Sequence, residues 1–199
     1  MKKLVSLALA AVLAVSAVGC GSSSDSSSST ADSAQSTEAA ADGATFKIGG
    51  IGPITGGAAI YGQAVMNAAQ MAVDKINADG GINGYQVEFR FEDDEHDAEK
   101  SVNAYNTLKD WGMQMLMGTV TSTPCTAVSA KTEEDNMFQL TPSGSAVESI
   151  APANAFRVCF SDPNQGTASA QYIGENKLAS KVAVIYNSSD VYSSGIYQT

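Results

Sequence analysis

The run Ile76-Asn77-Ala78-Asp79-Gly80-Gly81-Ile82-Asn83-Gly84-Tyr85-Gln86-Val87-Glu88 passes from a helix to a strand through two glycine-bearing turns. Before it, Gln63 to Asn77 sets Val65, Ala69, Ala72 and Ile76 in one apolar stripe at helical spacing. Asp79-Gly80-Gly81 ends that helix, because glycine enters the left-handed cap conformation without steric cost. Asn83-Gly84 is a turn. Beyond it Val87, Phe89 and Phe91 alternate with Glu88, Arg90 and Glu92 as the two faces of a strand do.

The same alternation extends in both directions. Phe46 to Gly52 reads as a strand ahead of the first helix, and about Asp97 to Trp111 as a second helix with Ala98, Val102, Tyr105 and Leu108 on one face. Met113 to Gly118 is an apolar strand, Pro124 to Asp135 a third helix and Met137 to Thr141 a further strand. Ala155 to Phe160 and Lys181 to Tyr186 read as strands flanking a helix near Gln165 to Glu175, and another helix is expected from Ser193. Strands alternating with helices of this length predict right-handed βαβ units, hence an α/β fold with mostly parallel sheets flanked by helices. The pattern breaks off at Thr199 just inside a helix, so a longer gene product is expected.

The N-terminus is of another kind. Lys2 and Lys3 precede an apolar run, Leu4 to Val18, that is too short to span a bilayer. Ser16-Ala17-Val18-Gly19-Cys20 resembles the lipobox of bacterial lipoproteins, where cleavage leaves the cysteine as a diacylated N-terminus. Residues 1–19 are then a signal peptide and Cys20 the lipid attachment, although Ala17 stands where Leu is usual. The alternative is an ordinary signal peptide with an incidental cysteine. Gly21 to Thr45 is rich in Ser, Ala and Asp and lacks Leu, Ile, Val and aromatic residues. Such a segment cannot bury enough apolar surface to order itself, so residues 20–45 read as an acidic tether. A diacyl group supplies the two chains that stable anchoring requires.

Removing Lys2 and Lys3 from the 11 basic residues leaves nine against 21 acidic ones, a balance of −12. That argues against nucleic acid and against binding anionic lipid by charge. Cys125 and Cys159 read as two buried free thiols, with pairing in an oxidising compartment left open.

In an open parallel sheet, ligands bind at the carboxyl ends of the strands. Three loops at such positions are rich in Gly, Ser and Thr: Gly52 to Gly62, Thr119 to Pro124, and Thr141 to Ala146. Together with the phrase from Ile76 to Glu88 and the Asp93-Asp94 pair, they resemble the leucine/isoleucine/valine-binding proteins of bacterial ABC importers, from about Phe46 to Thr199. The resemblance implies a type I periplasmic-binding-protein fold of two α/β lobes that close on a ligand by hinge motion. Lobe one would be 46–163. Asp162-Pro163-Asn164-Gln165-Gly166 matches the first crossing, so 164–199 would begin a truncated lobe two.

The resemblance also implies roles for single residues. Thr121-Ser122-Thr123-Pro124 lies between a strand and a helix, with Pro124 expected at the first helical position, where its missing N–H costs nothing. Exposed N–H groups and the hydroxyls of Ser122 and Thr123 make a carboxylate site there. Ser143-Gly144-Ser145 would offer a carbonyl from Ser143 and a hydroxyl from Ser145 to the ligand ammonium, whose acid partner would come from lobe two beyond Thr199. Tyr61 and Tyr192 match aromatic positions flanking the ligand, one from each lobe. Each of these residues also has a plain alternative as a helix cap, a local turn or a loop tyrosine packed on its own lobe. Some relatives carry a disulfide joining the positions of His96 and Thr121, and neither is Cys here.

Two further patterns are set aside. The acidic run Glu92 to Asp97 lacks the ligand spacing and turn glycine of a hard-cation loop, and Asp97 or Asp94 is expected to cap a helix. Gly50-Ile51-Gly52 starts like a dinucleotide loop, but Thr55 stands where the third glycine belongs. No cofactor or metal is expected. The expected function is an extracytoplasmic, membrane-anchored, monomeric lipoprotein delivering Leu, Ile, Val or a related amino acid to ABC permease subunits. Rival readings keep the fold but bind urea, short amides or aromatic acids, or make the domain a ligand sensor. A secreted hydrolase is the rival from another class; it would need residues beyond the single His96 and a Cys125 without an evident base partner.

Overall fold

The computed structural model describes residues 43–199. Its elements are β1 (Thr45–Gly52), α1 (Ala59–Ala78), β2 (Gln86–Asp93), α2 (Ala98–Asp110), β3 (Met115–Gly118), α3 (Ser122–Glu134), β4 (Gln139–Thr141), a 3₁₀ turn (Val147–Ile150), β5 (Ala155–Arg157), α4 (Asp162–Glu175) and α5 (Val191–Tyr197). The signal peptide, Cys20 and nearly all of the tether lie outside the described residues. Thr45, assigned to the tether by the sequence reading, already pairs with Gln86 in β1.

The five strands form one sheet in the order β2-β1-β3-β4-β5, every pair parallel. The order reverses between β1 and β3, and the loops leaving their carboxyl ends diverge to open a crevice. Ile51 of β1 and Leu116 of β3 are fully buried against Ala104, Tyr105 and Leu108 of α2, Met113 and Val128 of α3. Each large apolar side chain buried this way contributes about 1.5–3 kcal/mol.

The junction between α1 and β2 explains why so many residues of that phrase are specified. Gly80 and Gly81 take φ +101 and +81, and a Cβ on Gly81 would overlap the carbonyl of Tyr85. Asn83 and Gly84 follow at φ 51 and 86, closing a turn in which Ile82 and Tyr85 exchange N–H···O bonds of 2.9 Å. Asn77 then brackets Val87: its Oδ1 accepts the Val87 N–H at 2.7 Å and its Nδ2 donates to the Val87 carbonyl at 2.9 Å. These groups lie on the open edge of β2, so a helix-end amide replaces a missing neighbouring strand.

Three expectations are corrected. Lys181 to Tyr186 is not a strand. Its apolar residues lie open, Ile185 fully so, and no strand sits beside it among the described residues to form a ladder. The expected strand from Ala155 to Phe160 pairs only as far as Arg157, where β4 ends. Pro124 is the third residue of α3 rather than the first, because Thr121 is the N-cap and Cys125 N–H makes the first intrahelical bond to its carbonyl. The missing N–H still falls among the first-turn groups that have no helical acceptor. Asp97 caps α2 as expected, accepting the Lys100 N–H at 2.8 Å.

Replacing Asn77 by Ala leaves the Val87 N–H and carbonyl without partners. Urea denaturation should show a loss of about 1–3 kcal/mol, with the midpoint lowered and the slope unchanged.

Candidate functional site

Loops from the carboxyl ends of all five strands converge on one cleft of about 520 Å³. It is lined by Ala58 and Tyr61 after β1, His96 after β2, Val120 to Ser122 after β3, Ser143 and Ser145 after β4, and Cys159 and Phe160 after β5. Asp190 and Tyr192, at the start of α5, complete it.

The floor is held together by hydroxyl groups. Backbone pairing of β3 and β4 stops at Met117 and Leu140. Past that point Thr141 donates its hydroxyl to the Thr119 carbonyl at 2.6 Å, and Ser143 donates to the Val120 carbonyl. Ser122 Oγ then accepts the N–H groups of Ser145 and Ala146, both at 3.2 Å. Two lone pairs are thereby occupied while the Ser122 proton stays free to donate. Ser122 is the first residue of α3, where the N–H groups have no helical acceptor and the helix dipole is positive. The arrangement suits an anion of carboxylate size.

Ser145 is buried at 3 % exposure. Its carbonyl accepts Arg157 Nη1 at 2.9 Å and the Asp162 N–H at 3.0 Å. Burial pushes the Asp162 carboxyl up, while the neighbouring Ser145 hydroxyl and Arg157 draw it the other way. Tyr61 stands on the first turn of α1 with two-thirds of its surface open over the cleft. The turn can pack there because Gly62 has no Cβ to collide with the Pro53 carbonyl. The Tyr192 hydroxyl is fixed from behind by Gln165 Nε2 at 3.1 Å.

Of the eight residues marked by the sequence, Tyr61, Thr121, Ser122, Ser143, Ser145 and Tyr192 meet in this cleft, and Thr123 and Gly144 stand behind it. The Thr123 hydroxyl turns to Asp190 Oδ1 at 3.4 Å. Gly144 donates its N–H to Thr141 Oγ1 at 2.8 Å and packs on Cys125, where a side chain would not fit. Cys125 and Cys159 are free thiols: Cys125 is buried, as expected, whereas Cys159 is only half-buried and lines the cleft. Burial pushes both thiols up, away from the reactive thiolate.

His96 and Asp190 are cleft residues that the sequence reading missed. His96 had a usable signal, since it follows the carboxyl end of a strand as the hydroxyl loops do. Its Nδ1 lies 2.9 Å from Thr121 Oγ1. The acidic residues before it support the neighbouring loop: Asp93 accepts the N–H groups of Ile54 and Glu95 at 2.9 and 3.0 Å and the hydroxyl of Thr55. Burial acts against its charge, but these hydrogen bonds hold the Asp93 carboxyl below the usual range. Burial pushes Asp94 up to about 6.

Comparison with known proteins agrees with this architecture. The family model described as periplasmic binding protein matches residues 45–198. The Leu/Ile/Val-binding protein homolog 3 of Brucella melitensis is 34% identical over 151 residues, which are 75% of this chain and 41% of that protein. The Leu/Ile/Val-binding protein BraC3 of Rhizobium johnstonii is 34% identical over 155 residues, 77% of this chain and 42% of its own. The chain thus spans about two-fifths of the length of these curated relatives. Among solved structures, the branched-chain amino acid transporter substrate-binding protein LivJ of Streptococcus pneumoniae, in complex with isoleucine, superimposes with a TM-score of 0.73 at 29% identity. That match covers 77% of this chain and 45% of LivJ.

Replacing Ser122 by Ala orphans two buried N–H groups, so chemical denaturation should show a loss of about 1–3 kcal/mol even without ligand. Ser122→Thr keeps the oxygen and should lose less.

Proposed function

The chain belongs to the periplasmic binding protein family, and from that premise we propose that the protein captures a branched-chain amino acid outside the cytoplasm for an ABC importer. The observation that carries the reading is the cleft at the β1/β3 reversal, where the start of α3 and the Ser122 hydroxyl offer donors to a carboxylate. The names of the relatives support the amino-acid class.

In this proposal residues 46–163 are the first lobe and 164–199 begin the second. Ser122 and the first N–H groups of α3 take the carboxylate; each such charge-assisted bond is worth about 1.5–3 kcal/mol. The Ser143 carbonyl and the Ser145 hydroxyl take the ammonium, with a second-lobe carboxylate as its partner, because a buried ammonium left unpaired is costly. Tyr61 and Tyr192 cover the aliphatic side chain from the two lobes, and hinge closure removes the remaining water. The ligand leaves unchanged, handed to the permease subunits. Burial pushes the Cys159 thiol in the cleft up, away from the reactive thiolate, and His96 lies against Thr121 rather than any serine of the cleft.

L-Leucine, isoleucine or valine should raise the melting temperature of the full-length protein. Saturation at a hundred times Kd adds about 2.7 kcal/mol of stability. If urea or a short amide shifts the transition and no amino acid does, the transport class stands and the substrate assignment fails.

The protein is proposed to reach the membrane through a lipid on Cys20 and to keep its domain clear of the surface on the acidic segment that follows. Detergent partitioning should place the parent in the membrane fraction and Cys20→Ser in the aqueous fraction. Membrane association of Cys20→Ser equal to the parent would exclude the lipid anchor.

A further inference from the structure

Among the described residues lining the cleft, His96 is the one with a basic side chain. Its position is built rather than incidental. His96 is held at φ 63 and Glu95 before it at φ 49, a region that residues with a side chain adopt only where their surroundings hold them. Two carboxylates do the holding: Asp94 Oδ1 accepts the His96 N–H at 2.9 Å and Asp93 Oδ1 the Glu95 N–H at 3.0 Å. Turned this way, the imidazole reaches across to α3. There Nδ1 lies 2.9 Å from the hydroxyl of Thr121, the N-cap residue next to Ser122. Thr121 does not use that hydroxyl to cap its own helix.

We propose that His96 makes ligand capture respond to pH: its protonation sets a positive charge beside the start of α3 and tightens the hold on the ligand carboxylate. The inference rests on the amino-acid reading above. Histidine changes charge between about pH 5 and 8, the range an extracytoplasmic protein meets. A cation at the positive end of a helix reinforces the attraction for an anion held there. The protonated ring donates from both nitrogens, so the link to Thr121 is kept with Thr121 accepting, and the Thr121 proton is released toward the cleft.

The charged groups around the ring do not reverse this effect. On its own loop are Asp93, Asp94, Glu95 and Asp97, with Lys100 of α2 tied to Glu95 at 2.6 Å. Asp190 and the Cys159 thiol share the cleft from the other side. These acids are present with or without ligand. Asp94 is the exception to a constant background, because its burial brings its titration to about pH 6, inside the same window. A test must separate the two.

Calorimetric titration of L-leucine into the full-length protein at pH 5.5, 6.5, 7.5 and 8.5 does so, using the parent, His96→Gln and Asp94→Asn. From pH 8.5 to 5.5 the parent Kd should tighten about two- to fivefold, the range of one partly screened charge interaction. His96→Gln, which can still bond Thr121, should bind leucine with no such slope, and Asp94→Asn should keep it. The binding linkage is reciprocal, so saturating leucine should move the proton NMR titration of the His96 ring to higher pH. An unchanged slope in His96→Gln, or loss of the slope in Asp94→Asn alone, overturns this proposal and leaves the amino-acid reading standing. Absence of leucine binding by the parent at every pH overturns both.

Discussion

Three hydroxyl side chains extend the pairing of β3 and β4 beyond the point where the backbone ladder ends. Thr141 to the Thr119 carbonyl, Ser143 to the Val120 carbonyl, and Ser122 from the N–H groups of Ser145 and Ala146 form successive rungs. Strands that diverge at a sheet's switch point leave backbone groups unpaired, and buried backbone groups without partners cost about 1–3 kcal/mol each. Hydroxyls meet that need and leave polar groups facing a cleft. Ser122 and Ser143 therefore both close the fold and line the cleft.

This double use constrains the chemistry. Ser122 spends its acceptor capacity on the neighbouring loop and keeps its donor, which is the half a carboxylate requires. Ser143 spends its donor on Val120, so it can offer only acceptors, its carbonyl and the hydroxyl lone pairs, to a cationic group. Polarity at each position in the cleft is set by what the fold has already taken. Gly144 is small for the same reason: the space a side chain would need is filled by Cys125 and Thr141.

A second set of contacts positions the cleft from the side of β1 and β2. The acidic run after β2 looks like a charged surface loop, yet Asp93 ties down the loop leading to Tyr61 and Asp94 anchors the turn that carries His96. Short carboxylates can accept N–H groups one or two residues away, and this allows Glu95 and His96 to occupy left-handed backbone without glycine. At the end of that turn an imidazole and the hydroxyl of Thr121 meet across 2.9 Å.

The amino-acid sequence by itself determined the α/β class, the order of helices and strands through β5, the α1–β2 junction and the three hydroxyl-rich loops. Those features are local: periodicity, capping and glycine at left-handed positions act over a few residues and need no distant partner. Tertiary structure decided what the loops do once together. It turned Thr123 away to Asp190, set Gly144 behind the cleft wall, brought His96 to Thr121 across 25 residues of chain, and left Lys181 to Tyr186 without an adjacent strand among the described residues. A hydroxyl's direction and a strand's pairing depend on partners far away in sequence, and only the packed sheet fixes which of them are near.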